Sequence, residues 1–457
     1  MFSVLAPYAL LPDGWAPQVR LEIDDKGLIS AVTSNAQTGE GERLAGSVLP
    51  GMPNLHSHSF QRAMAGLTER GATGEDSFWT WRQLMYDFVD RLTPEQLEAI
   101  AAQLYVELLK AGYTAVGEFH YLHHDPTGAA YAQRSELASR VIGAAQTTGI
   151  GLTLLPVLYS YSGFGGIDPA PKQRRFLNDA ESFLSLWDEL AKTCADDPQL
   201  RLGVAPHSLR AVAPELLQEV LAAIDSRDAK APIHIHVAEQ MQEVNDCIAW
   251  SGLRPVEWLL NHMPLSPRWC LVHATHMSPD ETARLAASGA VVGLCPTTEA
   301  NLGDGLFPAV DFLRQGGQIG IGSDSHISVN PIEELRWLEY GQRLLHQRRN
   351  LLCSAEIPSV GEFLYRRALA GGTQALQRPI GKLAPGCRAD LVVLNSEHPA
   401  LLGRDQTQLL DGLIFSGDNR CVRDVMVGGR WVVQGGRHVL EEPIQACYGA
   451  VLAELLS

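Results

Sequence analysis

Between residues 47 and 322 the chain alternates short apolar runs with longer amphipathic stretches. The runs fall at 47–55, 114–119, 151–158, 201–206, 232–237, 268–273, 290–294 and 318–322. Each has strand length, and nearly all lead into a stretch with helical spacing of apolar residues. "TPEQLEAIAAQLYVELLKAG" predicts a helix with Thr93 as N-cap, Pro94 in the first turn and Gln96 closing a capping box. "SPDETARLAASG" repeats the grammar with Ser278, Pro279, Glu281 and a terminal glycine. Eight strand–helix alternations over roughly 320 residues predict a (β/α)8 TIM-type barrel. A doubly wound open sheet is the competitor, but no GxGxxG follows the first strand. Both ends of the chain read differently. Residues 1–47 hold short apolar runs broken by "LPDGW" and "DDKG"; "ADLVVLN" and a hairpin around Gly428-Gly429 return to that style near the C-terminus. The expected division is therefore 1–47 and 378–457 in one small β-sandwich, the latter part with a closing helix, around a barrel at 48–377.

Composition narrows the partners. The 457 residues are 46% apolar and 19% charged, with a formal net charge of −16. That balance argues against nucleic acid and anionic membranes, and an anionic substrate would need a local basic patch. The eight cysteines lie between Cys194 and Cys447 with no close pair, the expectation for reduced, buried thiols in a cytoplasmic protein. The N-terminus lacks a basic start with a sustained apolar core, and no apolar stretch of about 18 residues occurs, so neither signal peptide nor transmembrane helix is expected.

Functional groups of such barrels gather at the C-terminal strand ends. Strand 1 ends in "LHSH", with His56 and His58; strand 4 ends in "PHSLR", with His207 and Arg210; strand 5 is "IHIHVAE", with His234, His236 and Glu239. Strand 6 brings His273 and His276, strand 8 Asp324 and His326. One histidine alone is more often packed or on the surface than a ligand; metal-type residues at five of eight strand ends on one rim are a strong signal. Alternate residues of a strand share a side, so His56 and His58 can reach one point. With one strand-5 histidine (His234 or His236) and Asp324 they make a three-nitrogen, one-oxygen set of the kind that holds catalytic zinc and leaves a position for water. The bound cation would lower the pKa of that water toward neutrality. Asp324 would accept its proton or hydrogen-bond the hydroxide, and Glu239, just past the strand end, would carry a proton to a leaving nitrogen. A helix-start carboxylate is the plainer alternative for Glu239.

These motifs, with "PGMPNLHSH", "LVHATH", "GSDSH" and "PGCRADLVVLN", resemble the amidohydrolase superfamily of metal-dependent hydrolases and deaminases over nearly the whole chain. The resemblance implies metal at His56, His58, His236 and Asp324, Glu239 as proton shuttle, and His273 against the substrate or the attacked centre. Strand 4 offers no bridging lysine or carboxylate, which implies one divalent ion, zinc by family habit. N/O ligation also suits iron, manganese or cobalt. A homodimer is the family-level expectation for assembly.

The connection after strand 1, residues 59–92, is long and carries Gln61, Arg62 and Arg82 among aromatics. Arginine forks bind carboxylates in bidentate fashion. Arg82 and Arg210 therefore suggest a small-molecule substrate with two carboxylates, whereas Arg62 reads as a surface or salt-bridge residue. "NLHSHSFQRAMAGLTE", "WTWRQLMY" and "APHSLRAV" lie outside the shared metal motif and resemble the superfamily's deiminases of linear dicarboxylate amidines. That finer likeness implies Arg82, Tyr121 and Arg210 on the carboxylates, with Gln61, His207, Glu239 and His273 around the amidine. The rivals are a purine-, pterin- or triazine-type aminohydrolase, for which Phe78, Trp79 and Trp81 offer stacking surfaces, and a non-catalytic scaffold, against which the intact ligand set argues. The sequence assigns no role to His123, His124, His276 or His326, nor lid motion to residues 59–92.

Overall fold

The computed structural model describes residues 1–37, 41–69 and 77–457. Eight parallel strands follow the expected order: β1 Met52–Ser57, β2 Tyr113–His120, β3 Gly151–Leu158, β4 Leu200–Leu202 continued by Ala205–Pro206, β5 Ile233–Val237, β6 Trp269–His273, β7 Val291–Leu294 and β8 Gln318–Ile321. β1–β4 hydrogen-bond as one sheet and β5–β8 as another. Bridges Val204–Ile233 and Ser57–Asp324 join their edges at β4/β5 and at β8/β1. Every residue of β1, β2, β3, β5, β6 and β7 is buried, as expected of parallel strands covered on both faces.

The apolar run at 47–55 proves to be two strands. Val48–Pro50 pairs antiparallel with Leu391–Val393, whereas Met52 onward pairs with the strand starting at Tyr113. Gly51 is the hinge between them: a Cβ there would stand 2.2 Å from the Thr114 side chain. The predicted helix signals form as read. Thr93 Oγ1 accepts from Gln96 N at 3.2 Å while Gln96 Oε1 accepts from Thr93 N at 3.2 Å. Ser278 and Glu281 do the same, and Gly289 ends that helix at φ 76°.

Both chain ends enter one further sheet of nine described strands. Val422–Val427 and Arg430–Gln434 form the expected hairpin across Gly428-Gly429. The described strands make one continuous hydrogen-bonded sheet, so the two layers of the expected sandwich are not separate sheets. Strand alternation explains how it buries both faces. Val4, Ala6, Val19, Leu21, Leu391 and Val393 share a core of their own, while Leu49, Val392, Leu394, Val425 and Val427 join the main core. Five of the eight cysteines are buried, and all eight are free thiols.

Candidate metal and substrate site

Strand alternation sends His56 and His58 to the same side of β1, where they meet His236 from β5. The Nε2 atoms of His56 and His58 are 3.1 Å apart, and those of His236 and His56 3.0 Å. Asp324 Oδ1, just beyond β8, lies 3.5 Å from His56 Nε2 and 3.3 Å from His58 Nε2. All four residues are buried. His58 Nδ1 sits 3.0 Å from the Phe119 carbonyl and His236 Nδ1 3.2 Å from the His207 carbonyl. A carbonyl only accepts, so each Nδ1 carries the proton and each neutral ring turns the lone pair of its Nε2 toward the others.

Burial and neighbouring His56 draw the His58 ring down to about 3; burial likewise lowers His56 and His236. Burial opposes ionisation of Asp324, but the imidazoles of His56, His273 and His58 outweigh it and hold the carboxylate well below its usual range. Lone pairs facing one another beside a carboxylate are the donor set of a divalent cation. Tetrahedral ligands bound at about 2.0–2.1 Å stand about 3.3 Å from one another, close to the spacing seen. The residues therefore fit the metal expected from the sequence. Of the two strand-5 histidines it is His236 that joins the cluster, whereas His234 Nε2 lies 2.9 Å from the Ala375 carbonyl.

A second group adjoins the first. His273 Nε2 stands 3.6 Å from Glu239 Oε1 and 3.7 Å from Asp324 Oδ2, and its Nδ1 3.3 Å from Glu299 Oε1. Burial opposes the imidazolium, but Glu239, Glu299 and Asp324 overcome it and raise the ring well above the ordinary histidine value. Burial pushes Glu239 up to about 7, against the pull of His273 and with help from Asp324. These groups rest on strained backbone: Ala238, His273, Ala274, Asp324 and His326 all have positive φ, between 46° and 67°, a conformation that costs non-glycine residues energy and gathers at functional sites.

His58, His236, Glu239, His273 and Asp324 line one cavity, which Gln61, Arg82, Tyr121, His207 and Arg210 also line. The structure thus brings every sequence-predicted substrate residue to the cavity that holds the cluster. Gln61 donates to Tyr121 Oη at 2.9 Å, and Arg82 to Tyr159 Oη at 3.0 Å. Trp79 faces both guanidinium groups, 5.6 Å from Arg82 and 5.8 Å from Arg210. Arg62 pairs instead with Glu107 at 2.8 Å, as read from the sequence. The connection 59–92, for which the sequence assigns no lid motion, lies partly outside the described residues, at 70–76. Sequence reasoning missed Glu299, Thr298, Ser325 and Tyr159. The first follows β7, a strand end that ends in no histidine, so no local signal marked it. His123 Nε2 is 2.9 Å from the Val157 carbonyl and His326 Nε2 3.2 Å from Ser57 Oγ.

A parallel-strand barrel with this cluster at the strand ends defines a class, and the family comparison agrees. Residues 47–432 match the amidohydrolase family, and the chain belongs to it. Residues 1–46 match the N-terminal domain of formimidoylglutamate deiminase HutF. Over 456 residues, and the full length of both chains, the sequence is 56% identical to a formimidoylglutamate deiminase of Pseudomonas aeruginosa. It is 31% identical to a 5-methylthioadenosine/S-adenosylhomocysteine deaminase of Nitratidesulfovibrio vulgaris, over 85% of this chain and 80% of the other. The crystal structure of an amidohydrolase from Brucella melitensis superposes with a TM-score of 0.94 at 49% identity, with both chains fully covered.

Proposed function

We propose that this chain hydrolyses N-formimidoyl-L-glutamate to N-formyl-L-glutamate and ammonia, a step of histidine degradation. The observation that carries the reading is the full-length likeness to a formimidoylglutamate deiminase, which extends to the separately matched N-terminal segment. Two arginines in the same cavity as the histidine cluster support it, because they suit a substrate with two carboxylates at one end. The reading takes residues 48–377 as a closed (β/α)8 barrel and residues 1–47 with 378–457 as the small domain, in a cytoplasmic homodimer. Among the described residues no helix is long and apolar enough to cross a membrane.

One divalent ion per chain, zinc in this reading, is held by His56, His58, His236 and Asp324. When bound it supplies Lewis-acid chemistry and lowers the pKa of water toward neutrality. Glu239 takes a proton from the attacking water and passes it to the terminal nitrogen of the substrate. Water oxygen bonds to the amidinium carbon as the C=N pair returns to nitrogen; Glu239 passes its proton to that nitrogen, the remaining hydroxyl proton of the adduct leaves through Asp324 to solvent as the carbonyl forms, and the bond from carbon to the terminal nitrogen breaks to release ammonia. His273, held by Glu299, hydrogen-bonds the reacting centre beside Gln61 and His207, while Asp324 accepts a hydrogen bond from the water. Arg82, Tyr121 and Arg210 grip the glutamate carboxylates and so fix the amidine over the cluster, an orientation effect that can supply several kcal/mol.

The rival on this scaffold is a heterocyclic aminohydrolase. Trp79 speaks against it, since that ring is engaged with Arg82 and Arg210. An ammonia-release assay with formimidoylglutamate beside guanine-, pterin- and triazine-type amines separates them. Release from formimidoylglutamate alone is expected, with inhibition by glutarate; release from the heterocycles instead overturns the reading.

A further inference from the structure

Arg82 reaches the cavity from the helix Phe78–Val89, and every partner the structure gives its guanidinium among the described residues is uncharged. Nη2 donates to Tyr159 Oη at 3.0 Å, and the ring faces of Tyr86 and Trp79 lie 5.3 and 5.6 Å away. Arg210, the other arginine of the cavity, has the Glu243 carboxylate at 3.9 Å. Tyr159 comes immediately after β3, a strand that supplies none of the four cluster ligands. It is buried, and its hydroxyl also receives Gln173 Nε2 at 2.6 Å. Gln173, 2% exposed, ends the short turn Pro171–Gln173. Its Oε1 accepts from Ala170 N at 2.7 Å. A backbone amide only donates, so that contact fixes which end of the side chain is oxygen and turns the NH2 toward Tyr159 and, at 3.3 Å, toward Tyr86 Oη. The same segment holds the end of the helix that carries Arg82: Arg175 donates to the Val89 carbonyl, and to the Leu92 carbonyl at 3.0 Å.

We propose that Tyr159, oriented by Gln173, is the positioning residue of Arg82, holding the guanidinium through a neutral acceptor so that its charge is left for a carboxylate of the ligand. The inference rests on the proposed deiminase reading and adds to it two residues that stand behind the cavity lining. An acidic side chain in place of the Tyr159 hydroxyl would hold Arg82 at least as firmly, but it would compete with the ligand for the same donors and cancel the charge that attracts it. A phenol oxygen takes one N–H of the guanidinium and leaves the others free to meet a carboxylate. The Gln173 amide anchors that oxygen from a second side, so the acceptor stays in place before the ligand arrives.

The test is a double-mutant cycle read with glutarate, an unreactive dicarboxylate, on proteins brought to equal metal content. In the wild-type background Tyr159→Phe should raise the inhibition constant of glutarate about tenfold, and KM for formimidoylglutamate should rise more than kcat falls. In an Arg82→Met background the same change should move the glutarate constant less than about twofold, because its route to the ligand is gone. Gln173→Glu keeps the acceptor for Ala170 N but brings a carboxylate up to the Tyr159 hydroxyl. It should weaken glutarate in the wild-type background and not in the Arg82→Met one. Equal losses in both backgrounds mean a purely structural role and overturn the proposal; so does a glutarate constant unmoved by Tyr159→Phe. Should Tyr159→Phe not fold, Gln173→Leu is read in the two backgrounds in its place. Wild type that releases no ammonia from formimidoylglutamate sinks the deiminase reading and the proposal with it; wild type that does, with additive losses in the cycle, sinks only the role of Tyr159.

Discussion

Glu239 shows what a single residue must satisfy in this site. It needs to be ionised to take a proton from water, yet burial holds its carboxyl at about 7. The working form is therefore the deprotonated one, and kcat/KM should rise with pH and level off above about 7, falling about tenfold per unit below it. A pH–rate profile checks this; a flat profile between pH 5 and 8 contradicts it. Glu239→Gln should still bind one metal ion per chain while kcat drops by about 10²- to 10⁴-fold, measured by metal analysis beside steady-state kinetics. Arg210→Lys keeps the charge but loses the planar fork, so KM should rise with kcat little changed. At this scale the sequence was legible where strand alternation turns a rare residue type to one side, as with His56 and His58, and where a strand end is marked by its residues, as with Asp324 just past β8. It could not separate His234 from His236, because both lie on the same side of β5; only the Ala375 carbonyl that receives His234 decides. Glu299 escaped for a different reason. Its partner His273 lies 26 positions away, and no local pattern records that contact.

The ends of β1 and β2 act as one element. Glu118 accepts from Ser57 Oγ and from Ser59 N, each at 2.6 Å, and from Tyr105 Oη at 3.3 Å. Its neighbour Phe119 receives the His58 ring through its carbonyl. One strand end thus holds the Ser57 hydroxyl and the Ser59 amide on either side of His58 as well as the ring. Glu118→Ala would leave buried donors unpaired and loosen that grip. Metal affinity should fall about 10- to 100-fold, read by chelator competition, and unfolding free energy by about 1–3 kcal/mol. Unchanged metal affinity would show that His58 is held by its ring contact alone. Elements were legible where capping chemistry is local, as at Thr93 and Ser278. The run at 47–55 misled because Val48–Pro50 and Met52–Ser57 are both apolar; the break at Gly51 depends on Thr114, whose approach no local pattern predicts.

For the whole molecule the barrel order and the joint use of both termini were readable, since alternation and turn residues repeat along the chain. The continuity of the small-domain sheet was not, because it depends on Val48–Pro50 bridging strands from opposite ends of the sequence. Removing the ion by chelation should abolish turnover and lower the melting temperature, since a ligand at 100 times its dissociation constant adds about 2.7 kcal/mol. Added zinc should restore both; a melting temperature indifferent to chelator would contradict a metal seated on the native fold.

The Ser57–Asp324 bridge places the ligand cluster across the line where the first and last barrel strands meet. During synthesis three of the four donors emerge by residue 236, and the fourth only at residue 324. A growing chain therefore offers an incomplete chelate until its last barrel strand has arrived. In the proposed reading, capture of the ion is a late rivet, fastened only after Asp324 has joined the three histidines.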